Sequence, residues 1–285
     1  MFTVRFWGVR GSVPCPGPAT VSYGGNTSCI EIRAGERLVI VDMGTGIRSL
    51  GDSLMEGDYF KGAVNADIFI THTHWDHIMG FPMFTPLFNR NTKLRIRGPV
   101  PAGEDNLEAI INAHFSHRYW PVRQSDMAAK IEYTEISETA VNLGDGLKVS
   151  TKVLNHPLLC LGYRFEYQGK SVVTIYDHEF YREKTEAAAV ENAKIQSFIE
   201  NADLVIHDSQ YTSAEIKNHL GWGHSSYEEA FNMAVKLKIK KLIFFHHDPN
   251  RNDIQLEALE KEYNIQAAQN SIETIIAREG LVIEV

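Results

Sequence analysis

The chain has 285 residues, enough to bury a substantial core, and 44% of them are apolar, an ordinary share for a soluble globular protein. With 36 acidic and 28 basic side chains the formal net charge is −8, and no basic run offsets it. That balance weighs against a long nucleic-acid partner and leaves a small phosphate ester open, because bound cations reverse the field inside a site. No apolar run reaches the length of a membrane span. Cys15, Cys29 and Cys160 are odd in number and widely spaced, which suggests neither a zinc knuckle nor a disulfide framework.

In chain order, residues 2–7 alternate as a strand and lack the features of a signal peptide, so a cytoplasmic protein is expected. Gly8 to Pro18 is a loop dense in glycine and proline, and Tyr23-Gly24-Gly25-Asn26-Thr27-Ser28 is a second glycine-containing turn. Cys29–Arg33 and Leu38–Asp42 predict a hairpin, followed by a helix from Ile47. Ala66–Ile70 reads as a buried strand that runs into Thr71-His72-Thr73-His74-Trp75-Asp76-His77 and then a helix. Residues 93–98 alternate as a strand, 104–118 carry a helical stripe, and 131–136 and 147–154 are strands. A hairpin over 161–167 and 171–176 precedes a helix over 183–200. A buried strand over 202–206, a helix over 227–237 and a buried strand over 241–245 follow, with a helix near 254–262 and short strands at the end. No linker or internal repeat stands out, so one domain over residues 1–285 is expected.

The His-rich stretch carries the chemistry. Packing does not call for imidazoles at the end of a core strand, whereas a metal does. His72 and His74 are two apart and project to one side of an extended segment. They can hold one cation, and Asp76 and His77 can hold a second as the chain turns. A lone histidine there would be unremarkable, but four potential ligands in six residues are not.

The H-x-H-x-D-H pattern resembles the signature of the metallo-β-lactamase-fold hydrolases. The resemblance implies an α/β chain with an αββα sandwich of two mixed β-sheets flanked by helices. It also implies further ligands at later strand ends. His156, before Pro157, is the expected third nitrogen for the metal of His72 and His74. Asp177, at the end of the strand over 171–176, is the expected bridging carboxylate. A helix N-cap is the plain alternative for Asp177, and His178 and Glu179 beside it are competing donors. Either His246 or His247 completes the metal of Asp76 and His77, with His246 the better match to the family motif. Asp42 and Asp248 are candidates to receive the other N–H of a ligand histidine. Two divalent ions are implied, with zinc favoured by nitrogen-rich ligation and manganese or iron suiting the same donors.

Two further motifs narrow the branch. Val205-Ile206-His207-Asp208-Ser209-Gln210 resembles the His-Glu-Ala-Thr motif of tRNase Z-like phosphodiesterases, with Asp208 in place of the glutamate. Gly223-His224-Ser225-Ser226 resembles their His-Ser-Thr motif. The resemblance implies that Asp208 orients His224 as general acid and that Asp76 helps orient the nucleophile. It is strong at the metal motif and weaker over residues 100–130 and at the C-terminus. The tRNA-processing enzymes carry a protruding arm between the third histidine and the bridging aspartate, but only one hairpin fits between His156 and Asp177 here. Gly-Val-Arg-Gly-Ser and Tyr-Gly-Gly-Asn-Thr-Ser-Cys are similar to stretches of cyclic-nucleotide phosphodiesterases of this fold.

The expectation is therefore a phosphodiesterase that attacks a small, cyclic-nucleotide-type substrate with a metal-held hydroxide, and a homodimer by family resemblance. The alternative is a carbonyl-ester hydrolase, acting on a thioester, lactone or β-lactam. Residues 114–120 mix aromatics and cations, and read equally as a base-stacking surface or as core cover. Asn26, Thr27 and Ser28 are weaker phosphate-contact candidates. His219 and Trp222 are candidate walls of the site.

Overall fold

The structure, a computed structural model, describes residues 1–56 and 64–285. They fall into two compact units, each assembled from separated stretches of chain. The first takes Met1–Pro14, Gly24–Ile136 and Arg278–Glu284, and the second takes Cys15–Tyr23, Ser137–Ala277 and Val285.

The first unit is built on a seven-stranded mixed sheet. Strands β1 (Phe2–Gly8), β2 (Cys29–Ala34) and β3 (Arg37–Val41) pair antiparallel. Parallel β4 (Asn65–Phe69), β5 (Lys93–Gly98) and β6 (Lys130–Glu135) follow. The C-terminal strand Val282–Glu284, numbered β14, closes the other edge against β1. Helix α1 (Gly46–Glu56) turns Ile47, Leu50 and Leu54 onto Ile40, Ile68 and Ile96 of the sheet. After the four-residue helix α2 (Trp75–Ile78), α3 (Leu107–Asn112) adds Leu107 and Ile111 to the same core.

The second unit repeats that pairing scheme. Strands β7 (Ala140–Gly144), β8 (Leu147–Leu154), β9 (Cys160–Tyr167) and β10 (Lys170–Ile175) are antiparallel neighbours. Parallel β11 (Leu204–Asp208), β12 (Lys241–Phe245) and β13 (Glu273–Ile276) complete the sheet. The parallel connections run through α4 (Glu186–Ile199), α5 (Tyr227–Lys236) and α6 (Asp253–Asn270). Strands buried on both faces read as continuous apolar runs, which is why Leu204–Ile206 and Leu242–Phe245 carry no alternation. Ala230, Phe231 and Ala234 of α5 and Leu256, Tyr263 and Ala267 of α6 pack on Val173, Val205, Leu242 and Phe244. Ser226 and Asn252 start α5 and α6 with reciprocal capping boxes to Glu229 and Gln255.

Two mixed sheets flanked by helices are the class expected from the sequence. Among the described residues no helix is long and apolar enough to cross a membrane. The stripe over 104–118 forms less helix than expected. It stays α-helical only to Asn112 and tightens to a 3-10 turn at Ala113–Phe115. Helix α6 runs well beyond residue 262, to Asn270, ending where Ser271 takes a left-handed conformation.

Candidate metal centre

Both sheets deliver polar residues where their parallel strands end, the edge at which open α/β sheets gather functional groups. In the first unit, β3 ends at Asp42 and β4 runs out into Thr71 and the His-rich loop. Asp42 is fully buried and left-handed at φ 63°. Its carboxylate accepts from the Thr71 backbone N–H at 2.7 Å, from the Thr71 and Ser28 hydroxyls, and from His77 Nδ1 at 2.7 Å. Burial raises its pKa, while the charge and hydrogen bond of His77 and the Thr71 bonds pull against that rise.

With Nδ1 of His77 donating to Asp42, its Nε2 faces Asp76 Oδ2 at 3.3 Å. Asp76 Oδ2 also accepts from the Ser12 backbone N–H at 2.7 Å. His72 Nε2 and His74 Nδ1 lie 2.9 Å apart, with Thr71 Oγ1 3.2 Å from the other nitrogen of His72. The loop therefore presents two donor pairs, His72 with His74 and Asp76 with His77. Glycine is needed beneath it: a Cβ on Gly44 would lie 2.3 Å from the Asp76 carbonyl, and one on Gly80 would lie 2.1 Å from that of Gly44.

In the second unit, β8 and β10 both run antiparallel to β9, so they leave the sheet at the same edge as β11 and β12. His156, Asp177, Asp208 and His246 all follow or end these strands. Ligand atoms of Asp177, Asp208, His224 and His246 lie within 4.8 Å of one another. The two oxygens of Asp177 face different imidazoles: Oδ1 is 3.2 Å from His246 Nε2, and Oδ2 is 3.9 Å from His156 Nε2. Asp177 is no helix N-cap. Like Asp42 and His246 it ends its strand left-handed, at φ 46°, a conformation rare outside glycine.

The remaining imidazole nitrogens are committed to the protein. His156 Nδ1 donates to the Gly223 carbonyl at 3.1 Å, and His246 Nδ1 to Gln210 Oε1 at 3.0 Å. His224 Nδ1 donates to Asp208 Oδ2 at 2.8 Å, both side chains being buried. Asp208 also accepts from the backbone N–H groups of His178 and Gln210. The His224 ring lies 5.2 Å from that of His246 and 5.7 Å from that of His156.

This donor chemistry fits divalent cations. His77, His156 and His246 are each held by Nδ1 and direct Nε2 towards a carboxylate, as metal-ligating histidines do. The competing donors are differently engaged. His247 Nε2 donates to the Ala277 carbonyl at 2.9 Å, and its Nδ1 accepts from the Tyr227 hydroxyl. Glu179 accepts from the Gly221 and Gly223 N–H groups and from Arg182, and His178 Nδ1 accepts from the Asn155 N–H. Burial lowers the pKa of His178 and of His207.

Of the two acceptors expected for ligand histidines, Asp42 and Asp248, the first receives His77; His246 bonds instead to Gln210, which sequence reasoning does not single out. Its only signal was its place after the His-Asp pair. The stretch 114–120 serves the core in part. Phe115 is buried 5.8 Å from Phe81 and Trp120 packs on the same cluster, whereas Tyr119 is 78% exposed. His219 stacks on Tyr211 at 4.1 Å and touches Trp222, while Tyr211 in turn meets the His224 ring. Asn26 is held by Glu279 through its backbone and side-chain N–H groups.

Residues 37–247 match the family model of the β-lactamase superfamily domain. The chain belongs to that superfamily, and it is a hydrolase of the metallo-β-lactamase fold. Among its curated relatives is a ribonuclease Z of Lactococcus lactis subsp. cremoris, 26% identical over 223 residues, spanning 63% of this chain and 69% of the relative. Among solved structures, the metallo-β-lactamase fold protein YhfI of Bacillus subtilis superposes with a TM-score of 0.70 at 18% identity, covering 100% of this chain and 99% of that one. The short form of human tRNase Z gives 0.66 at 18% identity, covering 99% of each. Likeness at that identity speaks to the fold.

Proposed function

We propose that the chain is a metal-dependent phosphodiesterase acting on a small, cyclic-nucleotide-type phosphodiester. His72, His74 and His156 would hold one divalent ion and Asp76, His77 and His246 a second, with the Asp177 carboxylate available to both. Zinc suits this nitrogen-rich set best. Such ions supply charge that neutralises phosphate oxygens and acidify a water for attack. The side chains do the rest. Asp42 and Gln210 fix the tautomers of His77 and His246, Asp76 orients the attacking water, and Asp208 holds the Nδ1 proton of His224. His224 Nε2 is then the atom that passes a proton to the departing alkoxide.

The buried Asp208–His224 bond, in the same donor cluster as Asp177 and His246, is the observation that carries this reading. An alkoxide leaving phosphorus is a poor leaving group and needs an acid, whereas the thiolate expelled from a thioester, one of the alternative substrates, needs none. The relatives named ribonuclease Z support phosphodiester chemistry. A small substrate is favoured over tRNA by the −8 charge and by the stretch between His156 and Asp177. There β9 and β10 join through Gln168 and Gly169 alone, both at positive φ, leaving no inserted arm.

The test is a hydrolysis panel on metal-loaded protein: 2′,3′- and 3′,5′-cyclic nucleotides and bis-p-nitrophenyl phosphate against a thioester, a lactone and a β-lactam. Chelator-sensitive turnover of phosphodiesters is expected, with His224→Ala lowering cyclic-nucleotide turnover about 100-fold or more. Turnover of the carbonyl esters alone, or a fully active H224A, sinks the reading.

A further inference from the structure

Residues Asp177–Glu179 form a short connector after β10 and do more than present Asp177. On one side the Glu179 backbone N–H donates to the Asn155 carbonyl at 2.9 Å, and Asn155 Nδ2 returns a bond to the Glu179 carbonyl at 2.8 Å. The Asn155 N–H also donates to His178 Nδ1. The connector thus grips the residue next to His156. On the other side the buried carboxylate of Glu179 reaches across 44 positions of sequence. Its Oε2 accepts from the backbone N–H groups of Gly221 and Gly223, both at 2.9 Å. Its Oε1 accepts from Arg182 Nη1 at 2.6 Å. Arg182 is in turn held bidentately by Glu229, the N3 residue of the α5 capping box.

The loop so held is the one that ends in His224. The Gly223 carbonyl receives the Nδ1–H of His156, and Gly223 sits at φ 84°, where a Cβ would come within 2.0 Å of that same nitrogen. One carboxylate therefore fixes the loop that orients His156 and carries His224 to Asp208. Asn155, His156, Glu179, Arg182, Gly221 and Gly223 all line one cavity of about 450 Å³.

We infer that Glu179 is a positioning residue for two functions at once: the tautomer and ring direction of His156 as metal ligand, and the placement of His224 as proton donor. Arg182 and Glu229 hold Glu179 in turn. The inference rests on the phosphodiesterase reading for the role of His224 but not for that of His156. A carboxylate suits the task because two backbone N–H groups and a guanidinium converge on it, and it offers acceptors only. A glutamine presents one oxygen and an NH₂ that opposes one of the three donors.

The test compares wild type, Glu179→Gln and Glu179→Ala by two readouts. The first is metal affinity, measured by competition with a chromophoric chelator and needing no substrate. It should fall about 10-fold or more in E179A and less in E179Q, the range seen when partners behind a ligand are removed. The second is the ratio of turnover on bis-p-nitrophenyl phosphate, whose leaving group needs no acid, to turnover on a cyclic nucleotide. The ratio should rise about 10-fold or more as the acid contribution is lost. A merely structural glutamate would slow both substrates alike and leave the ratio where it was.

E179Q keeps the side-chain volume and carries the test should E179A not fold. Unchanged metal affinity together with an unchanged ratio overturns the inference. A wild type that hydrolyses no phosphodiester overturns the functional reading instead, and the chelator competition still decides the role of Glu179 towards His156.

Discussion

An imidazole offers a well-directed lone pair to a cation only when its other nitrogen is tied down. At His77 the acceptor is the Asp42 carboxylate, and at His246 it is the Gln210 amide, a weaker one. Gln210→Ala should lower metal affinity about 10- to 100-fold, while Gln210→Glu, which mimics the Asp42 arrangement, should hold or raise it. Metal content after dialysis at fixed free zinc distinguishes these outcomes, and an alanine variant that keeps its full complement refutes the role. The residues of this site differed in how visible they were beforehand. His72 to His77 stand together in sequence, and their spacing alone implies a donor set. Gln210 and Glu179 act on partners 36 and 44 positions away, and nothing in a glutamine or glutamate by itself announces such a partner. The contacts of His247 with Tyr227 and Ala277 are likewise invisible in the sequence.

At the scale of elements, the buried parallel strands were the plainest signals, because apolar runs such as Leu242–Phe245 admit no other reading between turn residues. Strand β7 was not legible, since every residue from Ala140 to Gly144 is at least partly exposed at the sheet edge and only two half-buried apolar residues, Val141 and Leu143, mark its alternation. The far half of α6 was hidden for a related reason: only Leu256, Tyr263 and Ala267 of its 18 residues are buried, too few to mark a stripe. Strand β4 holds a charged feature with a measurable consequence. Asp67 is almost wholly buried and bonds Arg37, Arg95 and Arg97 from its neighbours β3 and β5. Burial alone would raise its pKa, but the hydrogen bonds and charges of Arg95 and Arg97 outweigh it and leave the group lowered. A carboxylate lowered on folding contributes stability above its unfolded pKa near 4, and that contribution is lost as pH falls through the folded value. Asp67→Asn should therefore cost about 2 kcal/mol at neutral pH, less than a fully buried pair because the guanidiniums remain partly in water. The gap from wild type should narrow as denaturant melts are repeated from neutral pH down to pH 3, and a gap constant with pH refutes the assignment.

For the molecule as a whole, the two sheets share one scheme, three antiparallel pairings followed by three parallel ones. Asp42 and Asp177 occupy the corresponding place in each, the left-handed residue after the strand where the parallel run begins. No sequence repeat reveals this, because pairing direction is set by connections and burial rather than by particular side chains. Length and charge were legible throughout, and they bear on the choice between tRNA and a small ester. A tRNA substrate needs many phosphate contacts, each from a lysine or arginine, and binding that falls steeply with salt. This chain carries 28 such residues against 36 acids, and Arg37, Arg95, Arg97 and Arg182 among them are already paired with carboxylates. The β9–β10 hairpin closes where an arm would emerge. Precursor tRNA at micromolar concentration and near-physiological salt should therefore be neither trimmed at its 3′ end nor inhibitory towards cyclic-nucleotide turnover. Clean removal of a 3′ trailer, with a rate that drops as salt rises, would make the ribonuclease Z relatives the better guide to substrate. It would place the missing basic contacts on a surface that net charge conceals.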